Sequence, residues 1–181
     1  MVAKVLFFDT CVMLKLFIDE DGTRIMKWLT SSQFKVTKRL YFVINKKVCL
    51  EFEDKIKNFA KDGKITEKKA NQVIFIFNKY YKNKYFKVIG QKIISNSRNE
   101  ASIDQINLDL SLKKGKNDWD GFIYQSMVNA LAYLGGDSTP ILVTCDKKFA
   151  NKVKKRGYRV INPIEKNDDE KNKDNIEKIL N

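Results

Sequence analysis

The stretch Lys4-Val5-Leu6-Phe7-Phe8-Asp9-Thr10-Cys11 decides how this chain folds. Val5–Phe8 is a short, unbroken apolar run that stops at an acid. A run without polar alternation has both faces covered, the habit of a strand inside a parallel sheet. Residues Lys4–Phe8 are therefore expected as a buried strand. Asp9 or Thr10 can then cap a helix carrying Val12, Leu14, Phe17 and Ile18.

The same grammar repeats downstream. Asp21-Gly22-Thr23 breaks the first helix, and Arg24–Thr30 reads as a second short one. Arg39–Ile44 is a second strand, and Asn45 caps a helix with Val48, Phe52, Ile56 and Phe59 at helical spacing, closed by Asp62-Gly63. Thr66-Glu67 opens a helix over Glu67–Tyr81, dense in aromatics. Tyr85–Ile89 reads as extended. In the polar stretch 90–116 only Ile103–Leu112 suggests a helix. Asn117 starts a helix through Ile123 and Met127 to Gly135-Gly136, followed by a strand at Ile141–Thr144, a helix at Asp146–Arg156, a turn at Gly157 and a last strand at Tyr158–Ile161. Strands alternating with helices predict an α/β sandwich around a mostly parallel sheet, in one domain. In such sheets the site lies at the carboxyl ends of the strands.

Composition narrows the chemistry. The 181 residues contain no histidine and three cysteines without a CxxC pair, which excludes the usual structural zinc sites and histidine-based catalysis. Lys and Arg total 35 against 22 Asp and Glu, a net charge of +13. After Pro163 the chain is rich in acids, so the rest is more basic still. A basic body attracts polyanions, because phosphate contacts release condensed counterions. The longest apolar runs, such as Val5–Phe8 and Val73–Phe77, are too short to cross a bilayer. Only Lys4 precedes the first run, which does not resemble a signal peptide, so a cytoplasmic protein is expected.

Two acids fall where an α/β sheet builds its site. Asp9 follows the first strand directly, and Asp146 lies two residues beyond the strand Ile141–Thr144. Parallel neighbours are about 4.8 Å apart, close enough for such carboxylates to share a cation. Glu51, or its near neighbour Glu53, joins from the helix capped by Asn45. Asp120, with Asp118 at one remove through a water, joins from the helix opened by Asn117. Carboxylates without histidine suit one or two hard cations, Mg2+ or Mn2+, and such ions hydrolyse phosphodiesters without another base. Thr10 and Thr144 are candidate accessory residues that orient water or a carboxylate. Lys147, Lys148, Lys152 and Lys155, beside Asp146, are candidate RNA-binding residues. Each has a plainer alternative: helix cap, strand-end hydroxyl or solvated face. The cysteines read as small apolar filler. The aromatics of Phe75–Tyr81 read as core, with base stacking as the alternative.

The motifs, taken in order, resemble the PIN-domain family of VapC-like ribonucleases. Phe7-Phe8-Asp9-Thr10-Cys11 is similar to that family's first strand and Asp-Thr signature. Asn45 followed by Glu51-Phe52 is similar to its polar cap and Glu-Leu element. Asp120-Gly121-Phe122-Ile123, Thr144-Cys145-Asp146-Lys147-Lys148-Phe149 and Gly157-Tyr158-Arg159-Val160 resemble its third acid, its Thr-x-Asp-x-x-Phe element and its closing strand. The resemblance implies a three-layer α/β/α fold and Mg2+- or Mn2+-dependent endoribonuclease activity. Residues 1–163 would form the PIN-like domain, with a helical insertion near 66–116, and 164–181 a charged tail. As the toxin of a toxin–antitoxin pair the protein would have an inhibitory, antitoxin-like partner besides RNA; a homodimer is a further expectation, a membrane is not. Cys11 departs from the family, which often has a small polar residue there. Two other classes compete. A haloacid-dehalogenase-like phosphatase needs a second Asp two residues after the first, where this chain has Cys11. A non-catalytic RNA-binding module has no use for acids gathered on a basic surface.

Overall fold

The computed structural model describes residues 4–82, 84–89, 119–134, 140–165 and 168–181. Its strands are β1 (Lys4–Phe8), β2 (Leu40–Asn45), β3 (Lys87–Ile89), β4 (Pro140–Val143) and β5 (Arg159–Ile161). They form a 5-stranded sheet in the order β3-β2-β1-β4-β5. Every pairing is parallel. The apolar run that opens the chain is thus the central strand. Val5, Leu6, Phe7 and Phe8 are all buried, so both faces of β1 are covered.

The helices are α1 (Thr10–Leu14), α2 (Thr23–Leu29), α3 (Ser32–Thr37), α4 (Lys46–Lys61), α5 (Glu67–Ile76), α6 (Trp119–Leu134), α7 (Lys147–Lys155) and α8 (Asp169–Leu180). Alternation along β2 assigns two of them to opposite faces. Asn45 donates from one face to Ser126 Oγ of α6 at 2.5 Å. Phe42, three positions earlier and so on the other face, lies under Lys35 of α3, whose Nζ is 5.0 Å from the ring centroid. α4 packs against α6 and β2, and α8 against α2 and β5. The architecture is a three-layer α/β/α sandwich, as expected.

Several helices start on side-chain caps that the sequence announces. Asn45 accepts from Lys47 N, Thr66 from Lys69 N, and Asp146 from Lys148 N and Phe149 N. Each satisfies backbone donors that a helix start leaves orphaned. Gly22 opens α2 at φ 86, and a Cβ there would stand 2.6 Å from the Ile164 side chain. Only glycine fits that close approach beneath the turn after β5.

Local differences have physical causes. The first helix ends at Leu14 rather than running to Ile18; Lys15 turns inward to pair with Glu20 at 3.2 Å. α3 was not anticipated: Phe34 is its one buried residue, too little periodicity to read, and Ser31 holds its start by accepting from Phe34 N. The helix expected over Glu67–Tyr81 is α-helical to Ile76 and then widens into a π turn, Phe77–Tyr81, with Lys82 N donating to Phe77 O at 2.9 Å. The charged tail, where a short, loosely held helix was conceivable, carries a docked helix, α8. Its Asn172, Ile176 and Leu180 are buried, and Arg159 donates to Ile179 O at 2.6 Å. That stripe is thin among acids and lysines, so charge hides it. Most of the expected 66–116 insertion, including the helix at Ile103–Leu112, and the residues Asn117 and Asp118 lie outside the described residues. No helix among the described residues is long and apolar enough to cross a membrane.

Candidate metal centre

The site begins where β1 and β4 end side by side. Asp9 N donates to Val143 O at 3.0 Å, extending the ladder one step, and Thr144 N donates to Ile161 O at 3.0 Å. The register therefore puts Asp9 beside Thr144, on the face from which Asn45 reaches α6. Thr144 Oγ1 donates to Asp9 Oδ2 at 2.6 Å and accepts from Asp146 N at 3.0 Å. One hydroxyl thus ties the first acid to the backbone of the last.

Asp9 is buried. Its Oδ1 accepts from Thr10 N at 2.5 Å, and its Oδ2 also accepts from the Cys11 thiol at 3.2 Å. Burial raises its pKa; the hydrogen bonds from Thr144, Cys11 and Thr10 oppose this, and the charge of Glu51 adds to it. The net direction is upward.

Glu51 lies on α4, reached by Thr10 Oγ1, which donates to its Oε2 at 2.5 Å. Its Oε1 pairs with Lys55 Nζ at 2.8 Å, one helical turn on. Burial alone would lower the Lys55 pKa, but the hydrogen bond and charge of Glu51, with the charge of Asp9, carry it upward. Glu53, the alternative to Glu51, instead accepts from Asn78 Nδ2 at 3.1 Å, in the π turn after α5.

Asp120 sits in the first turn of α6, partly buried. Its pKa is pushed up to about 7, first by burial and then by the negative charges of Asp9, Asp146 and Glu51, with Lys152 opposing. The carboxyl senses all three other acids at once, so four acids from four separate elements share one electrostatic field. Asp146 caps α7: its Oδ1 accepts from Lys148 N at 2.8 Å and Phe149 N at 2.9 Å. The residue as a whole is exposed. Among the described residues, no three acids or cysteines stand close enough to grip an ion as they are placed.

Two residues have roles that the sequence did not suggest. Cys11, read as apolar filler, is a polar member of the cluster: its thiol donates to Asp9 and its sulfur accepts from Cys145 N at 3.1 Å. The side-chain hydrogen bond with Cys145, and then burial, push its own pKa strongly up. Cys49 fits the plainer reading and is buried in the core. Lys55 was overlooked, although its spacing of four from Glu51 is a readable signal. The basic candidates Lys147, Lys148 and Lys155 are exposed on α7, and Lys152 is half-buried toward Asp120.

The donor set suits a hard divalent cation. Carboxylates and hydroxyls are the ligands Mg2+ and Mn2+ favour, and mutual repulsion among the acids, felt most at Asp120, is what such a charge relieves. Compared with known proteins, the chain matches no family model and no curated protein.

Proposed function

We propose that this chain is a divalent-metal-dependent endoribonuclease of the PIN-domain type, hydrolysing RNA phosphodiester bonds. One observation carries the reading: Asp9, Glu51, Asp120 and Asp146 come from four elements toward the carboxyl end of a parallel sheet, where Asp120 feels the charges of the other three. The order of the sequence motifs supports the same family. The net charge of +13 supports a polyanionic substrate.

Asp9, Asp120 and Asp146 would hold Mg2+ or Mn2+, with Glu51 beside them. The bound ion would supply Lewis acidity toward phosphate oxygens and a water acidified to hydroxide near neutral pH. Thr144 holds Asp9 Oδ2 in orientation and anchors the backbone at Asp146, and Thr10 does the same for Glu51. With no histidine in the chain, Glu51 is the acid available to orient the attacking water. Lys147, Lys148, Lys152 and Lys155 meet the RNA backbone on the α7 side. A toxin role would add an antitoxin-like inhibitor.

The test incubates purified protein with labelled RNA and single-stranded DNA, in Mg2+, Mn2+ or chelator, beside Asp9→Asn and Asp146→Asn. RNA cleavage that the chelator and both substitutions abolish is the expected result. Undiminished cleavage by both variants would remove the mechanism. RNA binding without cleavage in any metal would favour the non-catalytic module.

A further inference from the structure

The fold divides the aromatic segment that the sequence left between core and base stacking. Ala70, Val73 and Phe77 are buried and recur at helical spacing along α5 into the π turn. Phe75 lies about 200° around the helix from Val73 and is 58% exposed. The residues on its stripe are Lys68, Asn71, Gln72 and Lys79, spaced three, four and seven apart. Lys79 Nζ sits 5.2 Å from the centroid of the Phe75 ring. Lys68, Asn71, Gln72 and Phe75, with Glu67, line a shallow concavity of about 550 Å³. That is room for a planar, base-sized group.

We propose that this stripe of α5 is a stacking platform for single-stranded RNA. Phe75 takes a base against its face, the Asn71 and Gln72 amides meet base or ribose edges, and Lys68 and Lys79 meet phosphates. An aromatic face between cations is how proteins hold single strands without reading sequence, because every base has a π-face. Charge selects the occupant: between Lys46 and Lys82 the chain carries ten lysines against five acids. An acidic protein segment would satisfy the lysines but would leave the ring and its flanking amides without a matched partner. The choice of RNA rests on the ribonuclease reading.

The platform lies on the helix that packs beside the one carrying Glu51. α4 and α5 pack against each other through a short connection, and Asn78 bonds Glu53. In this antiparallel pair Phe75 comes level with Ile56, about 8 Å along the α4 axis from Glu51. A strand held at the acids can run on across it.

The test uses the full-length protein in chelator, where binding is read without cleavage. In Phe75→Trp, an unpaired RNA oligomer should quench tryptophan emission saturably beyond the wild-type change, and duplex RNA and polyglutamate should not. Phe75→Ala should weaken single-strand binding by fluorescence anisotropy about tenfold, with an unchanged thermal midpoint. Lys79→Ala should flatten the salt dependence of binding. Equal affinity in Phe75→Ala, or no added quenching in Phe75→Trp, overturns the platform. Quenching by polyglutamate and not by RNA overturns it in favour of an acidic protein. If binding falls in Phe75→Ala while no metal yields cleavage, the platform stands and the nuclease reading fails; cleavage with unaltered Phe75→Ala binding is the reverse.

Discussion

Replacing Asp120 by Asn should stabilise the metal-free protein, with a characteristic pH dependence. The carboxyl is pushed up to about 7 from its ordinary 3.8 by burial and by Asp9, Asp146 and Glu51. That difference sets a ceiling of about 4 kcal/mol on the cost of ionising it in the folded state. Asp120 keeps some contact with solvent, which screens the repulsion, so about 1–2 kcal/mol is the realistic magnitude. The folded chain holds this proton more tightly than the unfolded chain. Between about pH 4 and pH 7 folding therefore takes up a proton, and stability falls as pH rises. The cost is absent below the lower value and complete above the upper one. Asn keeps the shape and removes the charge. In chelator at pH 8, Asp120→Asn should melt about 2–8 °C above the wild type by calorimetry. At pH 4.5 about half to two-thirds of that difference should remain. Saturating Mn2+ should reverse the order, since a ligand at a hundredfold its Kd adds about 2.7 kcal/mol to the form that binds it. An Asn variant that is no more stable at pH 8, or more stable by the same amount at every pH, would refute the shared field.

Thr144→Val removes the donor to Asp9 and the acceptor for Asp146 N; it should cost about 1–3 kcal/mol in denaturant melts and sharply lower RNA cleavage, with Thr144→Ser restoring both. Lys55→Met frees Glu51 from a partly exposed ion pair, so stability should change by less than about 1 kcal/mol. Mn2+ affinity by calorimetric titration should rise, and an unchanged affinity would show that Lys55 does not compete with the ion. Leu180→Ala should cost about 2–5 kcal/mol in chemical denaturation, because Leu180 is fully buried under α8. A loss under about 0.5 kcal/mol would mean that the helix is only loosely attached.

Where local signals were strong, the fold was legible from residues alone. The unbroken run into Asp9, the Asn45 and Asp146 caps and the Gly157 turn are each strong local signals, and β1, α4, α7 and β5 lie within a residue or two of expectation. α3 was obscured because its buried stripe is only Phe34, and the docking of α8 because its stripe is only Asn172, Ile176 and Leu180 among charges. At the candidate site, periodicity left Glu51 and Glu53 unresolved. Tertiary contact separates them, since Thr10 bonds one and Asn78 the other. The polar role of Cys11 was illegible for a similar reason. Half of it depends on Cys145, which is brought alongside only when β1 and β4 pair.

The central claim is that four acids scattered along the chain serve one divalent ion. An anomalous difference map from crystals soaked in Mn2+ tests it most directly. A peak within bonding distance of Asp9 and Asp146, absent in crystals of Asp9→Asn, is the predicted result. Fully occupied Mn2+ bound only elsewhere, with the four carboxylates left to water, would contradict it.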